Sequence, residues 1–231
     1  MIKKIFYICV AILILLISFF IIRKYLIEKK LKDEINEIYN LIYMEEYDYE
    51  KIYTKINSII SNDDYAIVEE CAKDYLSDLF KQILEISNII NDDKISDVLT
   101  ISNFNDDGPD FKNTKDYLKT TKQKILNLEA DILFYLEEKT IMAYIIDENL
   151  EDSYVNLYKS LKFAKNKEVL EKKEYIENLV DQFVNKIEQE EKVIEFLIEN
   201  KNNWNISDNT INFNSSQLSD EYNKMIAEIN K

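Results

Sequence analysis

The chain contains no histidine, one glycine, one proline, two cysteines, one tryptophan and a single arginine among 231 residues. The missing histidine removes the commonest general base and metal ligand, and closes the usual Ser-His and Cys-His routes to a nucleophile. The scarcity of glycine leaves Gly108 by itself, so no phosphate-cradling loop can be built. With so few turn-formers the chain cannot make the many reversals of a sheet-rich fold, and long helices are expected. Cys71 is the only cysteine outside the first apolar run, which excludes an internal disulfide in the remainder and any cysteine metal site. It reads as a small buried apolar side chain on a helix. The net charge of −15 excludes ordinary nucleic-acid binding, which needs clustered Lys and Arg. These absences predict a non-enzyme without metal or cofactor. Lysine, isoleucine, asparagine and tyrosine are abundant, as an AT-rich genome would produce. Asparagine abundance alone would suffice to produce the sequons at Asn205 and Asn214.

What is present begins with residues 5–22, an eighteen-residue run from Ile5 to Ile22 without a charge. As a helix it would span about 27 Å, close to the hydrocarbon thickness of a bilayer. Lys3 and Lys4 precede it, Arg23 and Lys24 follow it, and Tyr7 and Tyr25 are placed to straddle the two interfaces. A cleaved signal peptide would be shorter and end in small residues, and a lipoprotein cysteine would follow small residues. Phe6-Tyr7-Ile8 before Cys9 and Phe19-Phe20-Ile21-Ile22 at the end fit neither. An uncleaved single-pass anchor is expected, with the bilayer as its first partner. The cations Arg23, Lys24, Lys29, Lys30 and Lys32 favour a cytoplasmic domain by the positive-inside rule. The two-lysine start before a first apolar helix is instead an export signature, and an extracytoplasmic domain is the expectation adopted.

The chain then divides into a short tail 1–4, an anchor 5–24, a helical bundle 25–200 with a loop at 100–113, and a C-terminal piece 201–231. The fold class expected is all-α: an elongated up-and-down helical bundle behind a transmembrane helix, ending in a small β-hairpin and a short helix. A first seam steps by four and three through Leu31, Ile35, Ile38, Ile42, Glu45, Tyr49, Ile52, Ile56 and Ile59, with a kink expected at residues 44–48. Tyr39, Tyr43 and Tyr47 form an i, i+4 row beside it, a candidate interaction stripe whose plainer reading is the flank of the core. A second helix is predicted over 64–91, facing inward through Val68, Cys71, Ala72, Tyr75 and Leu79.

Residues 100–111 hold the only glycine and proline and read as a connecting loop. Asn103, Asn105, Asp107 and Gly108 match positions 1, 3, 5 and 6 of a calcium loop, but Thr114 stands where the bidentate Glu belongs. A third helix is predicted over 114–147 with Lys139 and Ile146 in its seam. A fourth is expected at 150–165 and a fifth at 167–200, joined or separated near Asn166. The polar seam residues Glu45, Lys139 and Glu190 are expected at edges that reach water. Trp204 to Phe213 alternates around Asp208-Asn209 as a hairpin, with Trp204, Ile206, Ile211 and Phe213 on one face. A helix carrying Leu218, Tyr222, Met225 and Ile229 follows.

Within that tail, Ile211-Asn212-Phe213, Ser216-Gln217 and Glu221-Tyr222-Asn223-Lys224-Met225-Ile226 resemble the end of a family of small bacterial envelope proteins, typically lipoproteins, of unknown function. The resemblance covers about 16 residues and implies a location in the cell envelope; it brings no catalytic residues. The function expected is therefore structural or protein-interaction, with a protein partner in the envelope and room for homo-oligomers along the seams. The alternatives are a ligand-binding or sensory bundle and an anchored immunity or inhibitor protein using its acidic surface.

Overall fold

A computed structural model describes residues 2–44 and 48–229, with side chains from Tyr7, Val10 and onward. Helix accounts for 79% of the chain. In order the elements are α1 (Ile2–Ile42), α2 (Tyr49–Ile56), α3 (Asp64–Ile90), α4 (Asp93–Asp97), α5 (Ile101–Asp107), α6 (Lys112–Tyr135), α7 (Glu138–Ile146), α8 (Asp152–Lys159), a 3-10 turn (Lys162–Ala164), α9 (Asn166–Glu199), β1 (Trp204–Ser207), β2 (Thr210–Phe213) and α10 (Ser216–Ile229). The chain forms two compact units. Unit one comprises residues 1–81 and 135–171, and unit two comprises 82–134 and 172–231.

Unit one is built on the second half of α1. Leu31, Ile35, Ile38 and Ile42 are buried, as their spacing predicts. The seam does not run on through Tyr49 and Ile59, which are both exposed. α1 ends at Ile42 and α2 begins at Tyr49, so the three-four count restarts in α2, where Ile52 and Ile56 are buried; most of the kink expected at residues 44–48 lies outside the described residues. Asp48 caps α2 by accepting the Lys51 N–H at 3.0 Å. The unit closes around an aromatic cluster. Tyr75 stacks on Phe163 at 4.7 Å, and Tyr158 and Tyr144 meet these rings edge-on at 5.4 and 5.5 Å. The buried hydroxyls are satisfied: Tyr158 donates to the Ile141 carbonyl at 2.9 Å and Tyr75 to the Tyr135 carbonyl at 3.3 Å.

That last bond lies where the expected third helix breaks. α6 ends at Tyr135 and α7 begins at Glu138, after an extended Glu137. The break shifts the phase again: Ile141 and Ile145 are buried, while Lys139 and Ile146 face water. The next two predicted helices are separate, because Leu161 and Lys165 are extended on either side of the 3-10 turn.

In unit two the α9 seam holds throughout. Ile176, Val180, Phe183, Ile187, Glu190, Ile194 and Leu197 are all buried. The stretch expected as a loop at 100–113 is largely helical. Thr100 caps α5 by accepting the Asn103 N–H at 3.3 Å, and Phe104 points inward. The β-strands pair antiparallel with Trp204 opposite Phe213 and Ile206 opposite Ile211. Asp208 and Asn209 take φ of 51° and 57°, the left-handed pair that a two-residue hairpin turn requires. Trp204 stacks on Phe111 at 6.1 Å and donates its indole N–H to the Leu197 carbonyl at 2.8 Å. Phe213 packs against Tyr222 of α10 at 5.3 Å. A Cβ at Gly108 would collide with the Phe104 carbonyl oxygen and crowd Trp204, so the turn before α6 needs glycine for space.

Candidate functional site

α1 is one continuous helix with two different surfaces. Of its first half, Tyr7 and residues 10–26 are exposed, and the large apolar side chains among them range from 37% to 70%. The helix from Val10 is long and apolar enough to cross a membrane. Tyr7, Ile22 and Tyr25 lie on this exposed surface. Ile5 belongs to the helix, but its side chain is outside the described set. Cover begins at Ile27 and Glu28, which are half-buried, and is complete at Leu31.

Between the two surfaces sits a collar of cations. Lys24 pairs with Glu28 at 3.8 Å. Arg23, Lys29, Lys30 and Lys32 make no ion pair among the described residues. Against this collar lies a cavity of about 660 Å³. Its α1 wall includes Phe19, Phe20, Arg23 and Lys30, and its opposite wall is the segment 60–63 with Tyr65 and Tyr154. The two tyrosine rings meet edge-on at 5.0 Å. Burial pushes the Tyr65 hydroxyl up from its ordinary pKa, and the charge of Glu28 on α1 adds to this.

The opposite wall is fixed by a ladder of charges that sequence reasoning missed. Glu69 and Lys73, one turn apart on α3, are 0% and 1% exposed and pair at 2.6 Å. Glu69 accepts the backbone N–H of Ile60 at 3.1 Å and of Ser61 at 2.8 Å. Lys73 donates to the Ser58 carbonyl. Together they hold the α2–α3 connection from both sides. Lys73 also approaches Glu34 of α1 at 3.6 Å. Glu34 then meets Lys55 at 2.9 Å, Lys55 meets Glu37 at 3.0 Å, and Glu37 meets Lys51 at 2.9 Å. Burial alone would raise the Glu69 pKa, but the bonds from Lys73, Ile60 and Ser61 outweigh it and hold the carboxyl below its usual range. The signal available in the sequence was an i, i+4 charge pair whose members directly follow Val68 and Ala72 of an apolar face.

The other candidates are placed differently. Tyr39 is 2% exposed, its ring 5.1 Å from that of Tyr43 and covered by the Lys162 ammonium at 5.4 Å. It belongs to the core of unit one and presents no surface to a partner; Tyr43 is half-buried, and Tyr47, like Glu45, lies outside the described residues. Cys71 is buried, and burial together with Glu148, Asp74 and Glu70 pushes its thiol up to about 11. The calcium-loop pattern is not laid out as a loop. Asn103, Asn105 and Asp107 are on α5, and Asp107 is engaged by the Thr114 N–H at 2.7 Å and the Asn113 side chain at 2.8 Å, capping α6. Among the described residues no group of His, Cys, Asp and Glu is disposed to hold a metal.

Glu190 differs from Lys139. It is 3% exposed, not at an edge. The Lys186 ammonium stands 4.0 Å from Oε1, and Oε2 has no hydrogen-bond partner among the described residues. Burial pushes its carboxyl up to about 7. Lys139 does reach water.

Comparison of the chain with protein-family models, with curated proteins and with solved structures finds no match, so the geometry above stands without a relative to interpret it.

Proposed function

We propose that this chain is a single-pass, membrane-anchored helical protein of the cell envelope whose role is structural or protein-interaction. The observation that carries the reading is the exposed apolar surface of α1, which continues without a break into the core of unit one. Water would disfavour that surface by roughly 25 cal/mol for each Å² left bare, and a bilayer removes the cost. The collar at Arg23 to Lys32 stands where a helix leaves hydrocarbon for headgroups. The tail resemblance supports an envelope location with the domain extracytoplasmic. The chain's lack of histidine and of a glycine-rich phosphate loop supports a role without catalysis.

Topology is the first test. A reporter active only outside the cytoplasm and one active only inside it are each fused after Lys231. Activity outside is the expected result. Activity inside would move the domain to the cytosolic face and end the envelope assignment. Crosslinking in intact membranes, read by mass spectrometry, then tests the interaction role. A reproducible protein neighbour is expected, and its absence at every crosslinker length would count against the role.

A further inference from the structure

The cavity beside α1 has an apolar end and a cationic end. Phe19, Phe20 and Ile22 line one, and Arg23, Lys24 and Lys30 line the other. Asp63 is the acidic side chain in the lining and Lys24 is already paired with Glu28, so two unpaired cations, Arg23 and Lys30, face one anion. Arg23 and Lys30 have no ion pair among the described residues. Seven residues of helix place Lys30 about 10 Å beyond Arg23 along the axis. The far wall cannot simply fold away, because Glu69 holds Ile60 and Ser61 by their amides.

We infer that this groove holds one anionic phospholipid, with its phosphate between Arg23 and Lys30 and the start of an acyl chain on Phe19, Phe20 and Ile22. The inference rests on the membrane reading, and it adds a defined lipid site to a general anchor. The charge imbalance selects an anionic headgroup, since a zwitterionic one carries its own cation into the groove. The apolar end selects a lipid over free phosphate, which would leave that end in water.

The test uses the full chain in a neutral detergent and reads its melting temperature. Short-chain phosphatidylglycerol is expected to raise Tm by about 2–4 °C, through binding to the folded state alone. Short-chain phosphatidylcholine and inorganic phosphate are expected to leave it unchanged. The double variant Arg23→Gln, Lys30→Gln should keep the basal Tm and lose the shift. Lys167→Gln, which alters an exposed lysine paired with Glu171 outside the groove, should keep the shift. Phospholipid retained by the purified chain, counted by mass spectrometry, should fall in the double variant even if its basal Tm changes. An equal shift with phosphatidylcholine or with phosphate would overturn the inference, as would a double variant that still responds. Alkaline carbonate extraction separates the two levels. A chain left in the membrane pellet with no phosphatidylglycerol shift sinks the lipid site alone. A chain released to the supernatant sinks the anchor as well.

Discussion

Glu69 in unit one and Glu190 in unit two are both hidden from water, at 0% and 3% exposure. Their surroundings drive them in opposite directions. Glu69 has a lysine at 2.6 Å and two backbone amides, and its pKa lies below the ordinary carboxylate value. Glu190 has one lysine 4.0 Å away and an oxygen with no partner among the described residues, and burial pushes its carboxyl up to about 7. Burial is common to both, so burial does not decide the charge. The number of donors that reach the carboxylate decides it. One site uses its charge to fix a connection, and the other is most stable when it gives its charge up.

The substitution of Glu by Gln should therefore act with opposite sign at the two sites. Glu69→Gln takes the nearest carboxylate from the buried Lys73 ammonium, leaving it Glu34 at 3.6 Å and the Ser58 carbonyl, and should cost about 3 kcal/mol in urea unfolding of the full chain at neutral pH. A cost below about 1 kcal/mol would mean that the Glu69–Lys73 pair fixes nothing. Glu190→Gln should stabilise the chain by up to about 3 kcal/mol near pH 8 and by nothing near pH 4. The sign follows from the proton count. Between the ordinary carboxylate value and about 7, folded Glu190 keeps a proton that the unfolded chain has lost. Its share of stability is full below that window and is lost as pH rises through it. The Glu69 share runs the other way: it is present above the ordinary carboxylate value and lost as pH falls below it. Melting temperature followed from acid to mildly alkaline pH should show the alkaline decline in wild type and its removal in Glu190→Gln.

Two smaller changes sharpen the contrast. Glu34→Gln leaves the Glu69–Lys73 pair in place but weakens the bridge to Lys55, and should cost about 1–2 kcal/mol. Lys186→Gln removes the cation nearest Glu190 and should raise the Glu190 pKa further, visible as a shift of its carboxyl titration by NMR. Lys186 is well exposed, so the change in stability should stay below about 0.5 kcal/mol.

The same contrast explains what could be read from the residues and what could not. The α9 seam was legible because nothing interrupts it from Ile176 to Leu197, and a helix keeps its phase when it keeps its hydrogen bonds. The hairpin was legible because Asp208-Asn209 is turn chemistry between alternating strands. The break between α6 and α7 was not, because no proline or glycine marks it. It coincides with a tertiary contact, the Tyr75 hydroxyl on the Tyr135 carbonyl, between residues 60 positions apart. α5 was passed over because Asn, Asp, Gly and Pro dominate the composition of its stretch, while Thr100 and Phe104 supply a cap and an anchor. Glu69 and Lys73 are the residue types of a solvated helix face, and only the placement of the 58–61 segment shows that they are buried. The basic collar was legible as composition, whereas its groove depends on Tyr65 and Tyr154 arriving from distant parts of the chain.

The unbroken path of α1 from Ile2 to Ile42 has a mechanical consequence. A flexible linker would act as a swivel and let a domain spin freely about its tether. Here the shaft that carries the apolar surface is also the axle around which unit one is built. Torque applied at Val10 is delivered to Ile42, and the direction in which the apolar surface faces fixes the direction in which unit one faces.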